Sequence, residues 1–228
     1  MSVIIRIVCP TRASPEAFAT TTALGRSLAL YRFPFLQLRL FANGNPGIPV
    51  VYNTALRESA DDPAILVFIH DDIHLLDFFW PEKVAQGLQA FDIIGLAGNK
   101  RRLPRQPGWM FLDDKFTRDA PENLSGVVAH GKSWPAAGIS YYGAPGQECK
   151  LMDGLMFAAK SETLLSNNVG FDETFDYHFW DLDFCRQAER QGLRMGTWPL
   201  QVMHESGGNF SGPSWRENYQ KYLVKWQS

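Results

Sequence analysis

The stretch that decides the fold is ILVFI at residues 65–69, which runs directly into His70, Asp71 and Asp72. A short, continuous run of apolar residues is typical of a strand that is buried on both faces of a parallel sheet. Ligands of such sheets bind beyond the carboxyl ends of the strands. Because carboxylate oxygens are preferred ligands of hard divalent cations, the acidic pair after this strand predicts a metal or ligand site.

Strand-like and helix-like segments alternate on both sides of this stretch. Serine, proline and glutamate at residues 14–16 provide the N-cap, the first-turn proline and the acidic first turn of a helix. The other elements predicted before residue 99 are strands at 3–8, 36–40 and 93–96, a helix at 50–57 and a helix after residue 72. Strands joined by helices favour right-handed crossovers. We therefore predict an α/β fold with a mostly parallel sheet flanked by helices, and residues 10–12 at the same edge as the acidic pair.

The length, charge and cysteine content of the chain exclude several classes of protein. The chain has 228 residues, of which 45% are hydrophobic and 20% charged, with a net charge of -2. These values favour one globular domain without a strongly basic surface, so we expect no large nucleic-acid footprint. The longest apolar run, at residues 64–69, is far shorter than the roughly 20 residues of a membrane-spanning helix. Three cysteines without a paired spacing, and no recognisable export signal, predict a reducing cytoplasm.

The second part of the chain has a less regular pattern. Residues 99–149 are rich in Gly, Pro, Trp and charged residues, and we expect a long loop region that serves function. Regular patterns return with an apolar segment at 155–159, a helix at about 181–191, a strand through Met203 and an amphipathic C-terminal segment. Aromatic residues of that last segment recur at helical spacing, and we expect them to pack on the domain rather than to bind a partner or a membrane. They are Trp215, Tyr219, Tyr222 and Trp226.

Several short motifs occur in an order and at spacings that are more specific than any one of them alone. They are CPTR at 9–12, VYN at 51–53, FIHDD at 68–72, MDGL at 152–155, DLDFCR at 181–186 and VMH at 202–204. With this set, the chain resembles glycosyltransferase family 2-like enzymes of the GT-A fold along nearly its whole length. The resemblance implies a single GT-A domain over residues 1–228, an inverting mechanism, a nucleotide-sugar donor and a divalent metal. It also implies a nucleotide-binding half at 1–98 and an acceptor and metal half at 99–228.

The resemblance places the metal at the family's DxD motif. Asp72 is the expected first protein ligand and His204 the second, with the donor diphosphate and water in the remaining positions. An imidazole beside a carboxylate suits Mn²⁺ better than Mg²⁺, which prefers oxygen ligands. His70 stands where the motif has its first Asp, so it either binds the metal or orients Asp72.

Other positions take roles from the same motifs. Asp181 is the expected catalytic base, which removes the proton of the acceptor hydroxyl during inversion. Trp180 stands where many relatives have an acidic residue, and its ring is expected to stack on an acceptor sugar. Asp183 is expected to cap its helix or to bind Arg186. The donor is expected to be a UDP-sugar, and the acceptor a hydroxyl compound of unknown class. The residues expected to bind the donor are Pro10, Thr11, Arg12, Asn53, Asp71, Asp153 and Gly154.

Simpler interpretations of the same residues stay open at this point. The acidic pair can solvate a loop or cap a helix, His204 can be a structural histidine, and Asp181 can serve only the helix dipole. A nucleotidyltransferase also joins an α/β sheet to metal-binding carboxylates, although the Gly-rich phosphate loop that it usually has is absent from the sequence. A carbohydrate-binding or scaffold domain without turnover is the third alternative. Aromatic residues of the irregular region can line an acceptor cleft or fill the core; they are Trp109, Trp134, Tyr141 and Tyr142.

Overall fold

The computed structural model describes residues 3–44, 46–207 and 210–227. Residues 1–2, which are part of the export-signal prediction, lie outside this range. The elements in chain order are β1 (Ile5–Pro10), α1 (Pro15–Thr21), α2 (Ala23–Leu28), β2 (Leu36–Phe41), α3 (Ile48–Glu58), β3 (Ile65–Ile69), β4 (Ile73–Leu75), α4 (Trp80–Ala90), β5 (Ile93–Gly95), β6 (Ala97–Asn99), β7 (Leu124–His130), β8 (Gly138–Gly143), β9 (Leu151–Met152), β10 (Met156–Lys160), α5 (Ser161–Ser166), α6 (Trp180–Arg190), β11 (Met195–Thr197), β12 (Val202–His204) and α7 (Pro213–Trp226).

One sheet contains the strand that decides the fold. Its strand order is β11-β5-β10-β3-β1-β2, and β3 is buried along its whole length. β1 pairs in parallel with β2 and with β3, and β5 pairs in parallel with β11, which confirms the predicted α/β fold. β10 is antiparallel to both of its neighbours, β3 and β5. The sequence did not predict this strand's direction, because a short apolar run has the same pattern in parallel and in antiparallel strands.

A second sheet lies partly where a loop region was expected. Its order is β4-β12-β7-β6-β9, and β8 pairs with β7. Since β7 and β8 fall inside residues 99–149, the prediction of irregular structure was wrong for that part. The pairing of β7 and β8 shifts register at Gly126, which has a φ of 109° and whose Cβ, if it had one, would lie 2.1 Å from Leu96 O. Glycines and bulges of this kind hide the alternation by which a strand is recognised.

The first helical segment is interrupted at Thr22. Ser14 caps α1 through its side-chain oxygen, as predicted. Thr22 follows the end of α1 and its hydroxyl accepts a hydrogen bond from Gly25 N (3.0 Å), which caps α2. The second helix brings Leu24 N to 3.0 Å from Asp71 O, to which it donates a hydrogen bond. α2 therefore holds the backbone just after β3, where the acidic pair lies.

The C-terminal helix packs on the domain, as its aromatic spacing predicts. Trp215, Tyr219 and Tyr222 are at most 7% exposed, and all three rings contact Phe179. This helix has 14 residues. Across the described ranges, no helix combines the length and the apolar composition that a bilayer crossing requires.

Asp183 on α6 is a buried anchor for α7. Its carboxylate accepts hydrogen bonds from Lys225 Nζ (2.6 Å) and Trp226 Nε1 (2.8 Å). A buried carboxylate is costly unless it is paired, and both donors come from α7. Asp183 thus joins two helices, whereas Arg186, considered from the sequence as its partner, lies over the Trp226 ring at 4.3 Å.

Leu66, in the middle of β3, tests the contribution of the central sheet to stability. Its side chain is 0% exposed. Leu66→Ala should lower the free energy of unfolding by about 2–5 kcal/mol, because apolar burial is lost and a cavity is left. Urea denaturation followed by circular dichroism measures this change. Leu38→Ala on β2, where the side chain is 44% exposed, is the matched control and should cost less than about 1 kcal/mol; equal losses would contradict the prediction.

Candidate functional site

Two cavities meet at the carboxyl ends of β1 and β3. The strand-end cavity, of about 790 Å³, is lined by Pro10, Thr11, Arg12, Gly44, Pro46, Gly47, Ile48, Asp71 and Asp176. The second-sheet cleft, of about 200 Å³, is lined among others by Trp109, Met110, His130, Tyr142, Asp153, Gly154, Trp180, Asp181, His204, Ser206 and Phe210. His70, Asp72 and Tyr177 line both spaces and so form the boundary between them.

The structure brings residues 72 and 204 together at this boundary. His204 is the last residue of β12, and it pairs with Ile73 in the antiparallel register of β12 with β4. His204 Nε2 lies 3.1 Å from Asp72 Oδ2 and 2.9 Å from Ser206 Oγ. Glu205 N donates a hydrogen bond to Asp72 O (3.0 Å), which joins the backbone just after His204 to the backbone at Asp72. Both side chains are therefore held by strand pairing, although their role as metal ligands stays a prediction.

The electrostatics of this pair favour an ionised carboxylate. Burial raises the pKa of Asp72, but the hydrogen bond and the charge interaction with His204 outweigh it and lower the pKa to about 2. Asp72 Oδ1 and His70 Nε2 are buried and have no hydrogen-bond partner in the described part of the chain. Burial also lowers the pKa of His70, so the ring is neutral near pH 7. A buried carboxylate oxygen without a partner is costly, which favours a bound cation or donor group at this point.

The donor atoms at the boundary fit a divalent cation. A carboxylate and a neutral imidazole are suitable ligands of Mn²⁺, and Asp72 Oδ1 has a lone pair that no protein donor uses. Within residues 3–44, 46–207 and 210–227, no group of three or more His, Cys, Asp or Glu side chains is arranged as a metal site. A cation held by Asp72 and His204 would therefore need its other ligands from a bound anion and water.

Polar groups from β1 and β3 converge on the strand-end cavity. Thr11 Oγ1 donates a hydrogen bond to Asp71 Oδ2 (2.6 Å) and accepts one from Ala13 N (3.1 Å). Pro10 and Arg12 line the same space, so the structure brings four of the predicted donor residues together. Arg12 is exposed, and it is the one Arg or Lys side chain among the described residues of this lining.

Asn53 lies apart from these residues. Its amide donates a hydrogen bond to Phe171 O (2.7 Å), and its carbonyl accepts one from Phe171 N (2.9 Å). Of the residues that the structure describes, Asn53 is not among those that line either cavity. The predicted contact of Asn53 with the donor is not supported, because its side chain joins α3 to the segment before α6.

Asp181 enters the second-sheet cleft from the first turn of α6. Its Oδ1 accepts a hydrogen bond from Leu182 N (2.9 Å) and its Oδ2 one from Gly154 N (3.2 Å). Burial raises the pKa of Asp181, Asp153 raises it further, and the result is a pKa of about 7. Gly154 is needed for this approach, because a Cβ there would lie 2.6 Å from the Trp180 ring. The arrangement provides an oriented carboxylate that exchanges a proton near neutral pH.

Asp153 is oriented by Trp109, a residue to which the sequence gave no definite role. Trp109 Nε1 donates a hydrogen bond to Asp153 Oδ2 (2.7 Å), and Leu155 N donates one to Oδ1 (3.1 Å). The Trp109 ring packs edge-on against Tyr142, with 4.8 Å between the ring centroids. Both aromatic residues are at most 9% exposed and line the cleft, so they serve the core and the cleft together.

Trp180 has a different position from the one expected. Its indole is 3% exposed and packs edge-on against Tyr52 and Phe157, with centroid distances of 5.4 and 5.9 Å. Trp180 is also among the residues that line the cleft, where its ring lies beside Gly154. The prediction that Trp180 stacks on an acceptor sugar is not supported, because the face of its ring is covered by the core.

Tyr177, His130 and Phe210 are among the residues of the cleft that sequence reasoning missed. Tyr177 precedes the acidic motif by only a few residues, and its position there was the available signal. His130 ends β7, and its ring is 6.3 Å from that of His204 between centroids. Nothing in the local pattern marked it, because the strand itself was not predicted.

Asp181 makes stability depend on pH in a defined direction. Its pKa is about 7 in the folded chain against an ordinary value of 3.8, so protonation favours folding and stability falls as the pH rises through this window. Asp181→Asn removes the charge that burial penalises and should be more stable than the wild type at pH 8.5 by up to about 4 kcal/mol. The difference should disappear at pH 4.

Urea denaturation of both proteins at the two pH values measures this difference. Asp114→Asn is the matched control, because it removes an exposed carboxylate and keeps Asp181, and its stability should match that of the wild type at both pH values. A wild type as stable as Asp181→Asn at pH 8.5 would show that the Asp181 carboxylate is not desolvated.

Comparisons with known proteins agree with this architecture. The sequence matches no protein-family model, and no curated protein matches it. The fold is similar to that of a 1–349 fragment of S. aureus TarS in complex with UDP, with a TM-score of 0.53 and 13% identity over 97% of this chain and 64% of that chain. It is also similar to GalNAc-T7 with UDP, GalNAc and Mn²⁺, with a TM-score of 0.51 and 9% identity over 98% of this chain and 48% of that chain.

These similarities establish the fold. The chain has a mixed α/β, GT-A-like architecture, as its motifs imply. It spans 64% of the TarS fragment and 48% of the GalNAc-T7 chain that it matches. At 9–13% identity, the likeness concerns the course of the backbone, and the chemistry has to be argued from the residues of the two cavities.

Proposed function

We propose that this chain is an inverting, metal-dependent glycosyltransferase that moves a sugar from a nucleoside diphosphate to a hydroxyl acceptor. The observation that carries the proposal is the Asp72–His204 pair on the boundary of two cavities, with Asp181 inside one of them. A donor with its diphosphate at this boundary would extend its nucleoside into the strand-end cavity and its sugar toward the cleft. The GT-A-like fold supports the same activity.

The strand-end cavity would hold the nucleoside diphosphate. Its volume of about 790 Å³ is sufficient for a nucleotide. Thr11 and Asp71 offer oxygen atoms to the ribose or base, and Arg12 offers a positive charge to the phosphates. UDP is the proposed nucleotide, since both TarS and GalNAc-T7 have been crystallised with UDP. Asp153 and Gly154 would meet the donor sugar, because they lie in the cleft beyond the boundary.

Asp72 and His204 would hold the divalent cation. The orphaned Asp72 Oδ1 and the mixed oxygen and nitrogen donors favour Mn²⁺ over Mg²⁺. When bound, the cation would neutralise the negative charge that develops on the departing diphosphate. The GalNAc-T7 structure with UDP contains Mn²⁺, which supports the same choice of metal. The strand-end cavity has Arg12 as its one described basic side chain, so a polyanionic donor needs a further positive charge there.

Asp181 would act as the catalytic base. As the acceptor oxygen forms its bond to the anomeric carbon, the bond from that carbon to the diphosphate breaks, and the hydroxyl proton passes to the Asp181 carboxylate. One displacement of this kind inverts the configuration at the anomeric carbon. The two backbone N–H groups on Asp181 orient its oxygens. A pKa of about 7 leaves a large ionised fraction at neutral pH and gives a stronger base than an ordinary carboxylate.

The two halves of the chain would have different roles, with residues 1–98 binding the nucleotide and residues 99–228 binding the acceptor and the metal. The strand-end cavity is lined mainly by residues before position 99, and the cleft mainly by residues after it. Both sheets contain strands from both halves, so the division is one of function rather than of separate folding units. Cys9, Cys149 and Cys185 are buried and unbridged, which supports the proposal that the protein works in a reducing cytoplasm.

Replacing the proposed base should separate binding from chemistry. The donor is identified first, as the UDP-sugar that raises the melting temperature most in the presence of Mn²⁺. Asp181→Asn should lower the rate of transfer by about 10²–10⁴-fold, with the affinity for UDP unchanged, since Asp181 is not among the residues that line the strand-end cavity. Release of UDP and formation of product are measured together.

The wild-type kcat/KM should rise with pH and level off above about 7, because only the ionised Asp181 accepts a proton. Asp114→Asn, the exposed control, should keep both the rate and the profile. Full turnover in Asp181→Asn would remove this residue as the base and leave the donor site intact.

Replacing the proposed metal ligand tests the donor site itself. Asp72→Asn keeps the size of the side chain but removes the charge, and it should weaken the Mn²⁺-dependent binding of UDP at least about tenfold. Isothermal titration calorimetry with and without Mn²⁺ measures this effect, again with Asp114→Asn as the control. Wild-type protein that binds no nucleoside diphosphate with any divalent cation would favour a carbohydrate-binding domain. Release of pyrophosphate from a nucleoside triphosphate would instead favour a nucleotidyltransferase.

A further inference from the structure

The second-sheet cleft has an acidic lining. Among its described lining residues, three are carboxylates, Asp72, Asp153 and Asp181, and none is Lys or Arg. The cleft therefore offers carboxylate oxygens as hydrogen-bond acceptors to whatever enters it.

Three arginines of the segment between β6 and β7 are held by contacts with other side chains. Arg101 binds Asp119 at 2.5 Å, and Arg102 binds Glu189 at 3.1 Å. The Arg118 guanidinium lies over the Tyr142 ring, 5.0 Å from its centroid. None of these three arginines is among the described residues that line the cleft. Apart from a metal ion held at the boundary by Asp72 and His204, an anionic substituent in the cleft would thus find no Arg or Lys among the described lining residues, and it would stand beside Asp153 and Asp181.

The cleft also has an aromatic rim. Tyr177 is 53% exposed and Phe210 is 42% exposed, whereas Trp109, Phe179 and Trp215 in the same lining are at most 6% exposed. Exposed aromatic faces are costly in water and are good surfaces for the apolar face of a pyranose ring. Phe210 is supported from behind by Phe111, with 5.5 Å between the ring centroids.

We infer that the acceptor is an uncharged sugar, which binds in the second-sheet cleft against Tyr177 and Phe210, and that hexuronic acids are excluded. The inference rests on the proposed function and names the substrate class of its acceptor site. Sugar hydroxyls donate hydrogen bonds to the cleft carboxylates, while a carboxylate on the sugar would be repelled and left unpaired. One hydroxyl near Asp181 would be the group that reacts.

Matched pairs of neutral and acidic sugars test whether the cleft prefers an uncharged sugar. Saturation-transfer NMR is recorded on the wild type with UDP and Mg²⁺, which replaces the paramagnetic Mn²⁺, for the methyl glycosides of glucose, galactose and mannose and of their uronic acids. At least one neutral glycoside should bind at least ten times more tightly than its uronic acid. The inference would be overturned if the uronic acids bound as tightly as the neutral glycosides, or if no glycoside bound while UDP did. Neither outcome would contradict the proposed donor site. Failure of UDP to bind counts instead against the proposed function.

Two variants locate the binding in the cleft. Met110→Lys introduces a positive charge into the lining and should reduce or remove the preference against the uronic acid, whereas Met110→Leu should keep it. Phe210→Ala should weaken the binding of the neutral glycoside about 3–10-fold. Tyr141→Ala is its control, because Tyr141 is 67% exposed and is not among the residues that line the cavities. Unchanged binding in Phe210→Ala, or an unchanged preference in Met110→Lys, would place the sugar elsewhere.

Discussion

The contact between Asp72 and His204 is the constraint on which the rest of the site depends. These residues are 132 positions apart in the chain, and their side chains meet because β4 pairs with β12. Asp72 follows the central strand of one sheet, and His204 ends a strand of the other. Their contact therefore fixes where the two sheets meet, and both cavities open from that point.

The two cavities differ in the charge that they can accommodate. The strand-end cavity has an exposed arginine, Arg12, beside the carboxylates of Asp71 and Asp176, and shares with the cleft the partly buried, ionised Asp72. The cleft has carboxylates and aromatic faces without a described basic side chain. The strand-end cavity could hold a polyanion only if a bound cation compensated for the charge of Asp72. An uncharged polyol in the cleft would need no compensating cation. In the proposed function, the boundary would thus separate the donor's diphosphate from an uncharged acceptor.

Asp181 shows how function and stability oppose each other in this fold. A carboxylate with a pKa of about 7 requires burial and a nearby like charge, here Asp153, and both destabilise the ionised form. Hydrogen bonds from Gly154 N and Leu182 N recover part of that cost and fix the orientation of the group. The close approach depends on the absence of a side chain at Gly154. Asp183, on the same turn of α6, accepts hydrogen bonds from Lys225 and Trp226 of α7. These contacts between α6 and α7 stabilise the helix that positions Asp181.

The sequence by itself determined the local features: the buried β3, the acidic pair at its end, the Ser14 cap and the α/β order, all of which depend on neighbours along the chain. The family motifs also identified the residues that meet at the boundary. Only the tertiary structure decided the direction of β10, the second sheet, the hydrogen bonding of Asn53 to Phe171 and the burial of Trp180. The reason is physical: the direction of a strand and the exposure of a side chain depend on partners far away in sequence, about which a local pattern of apolar and polar residues contains no information.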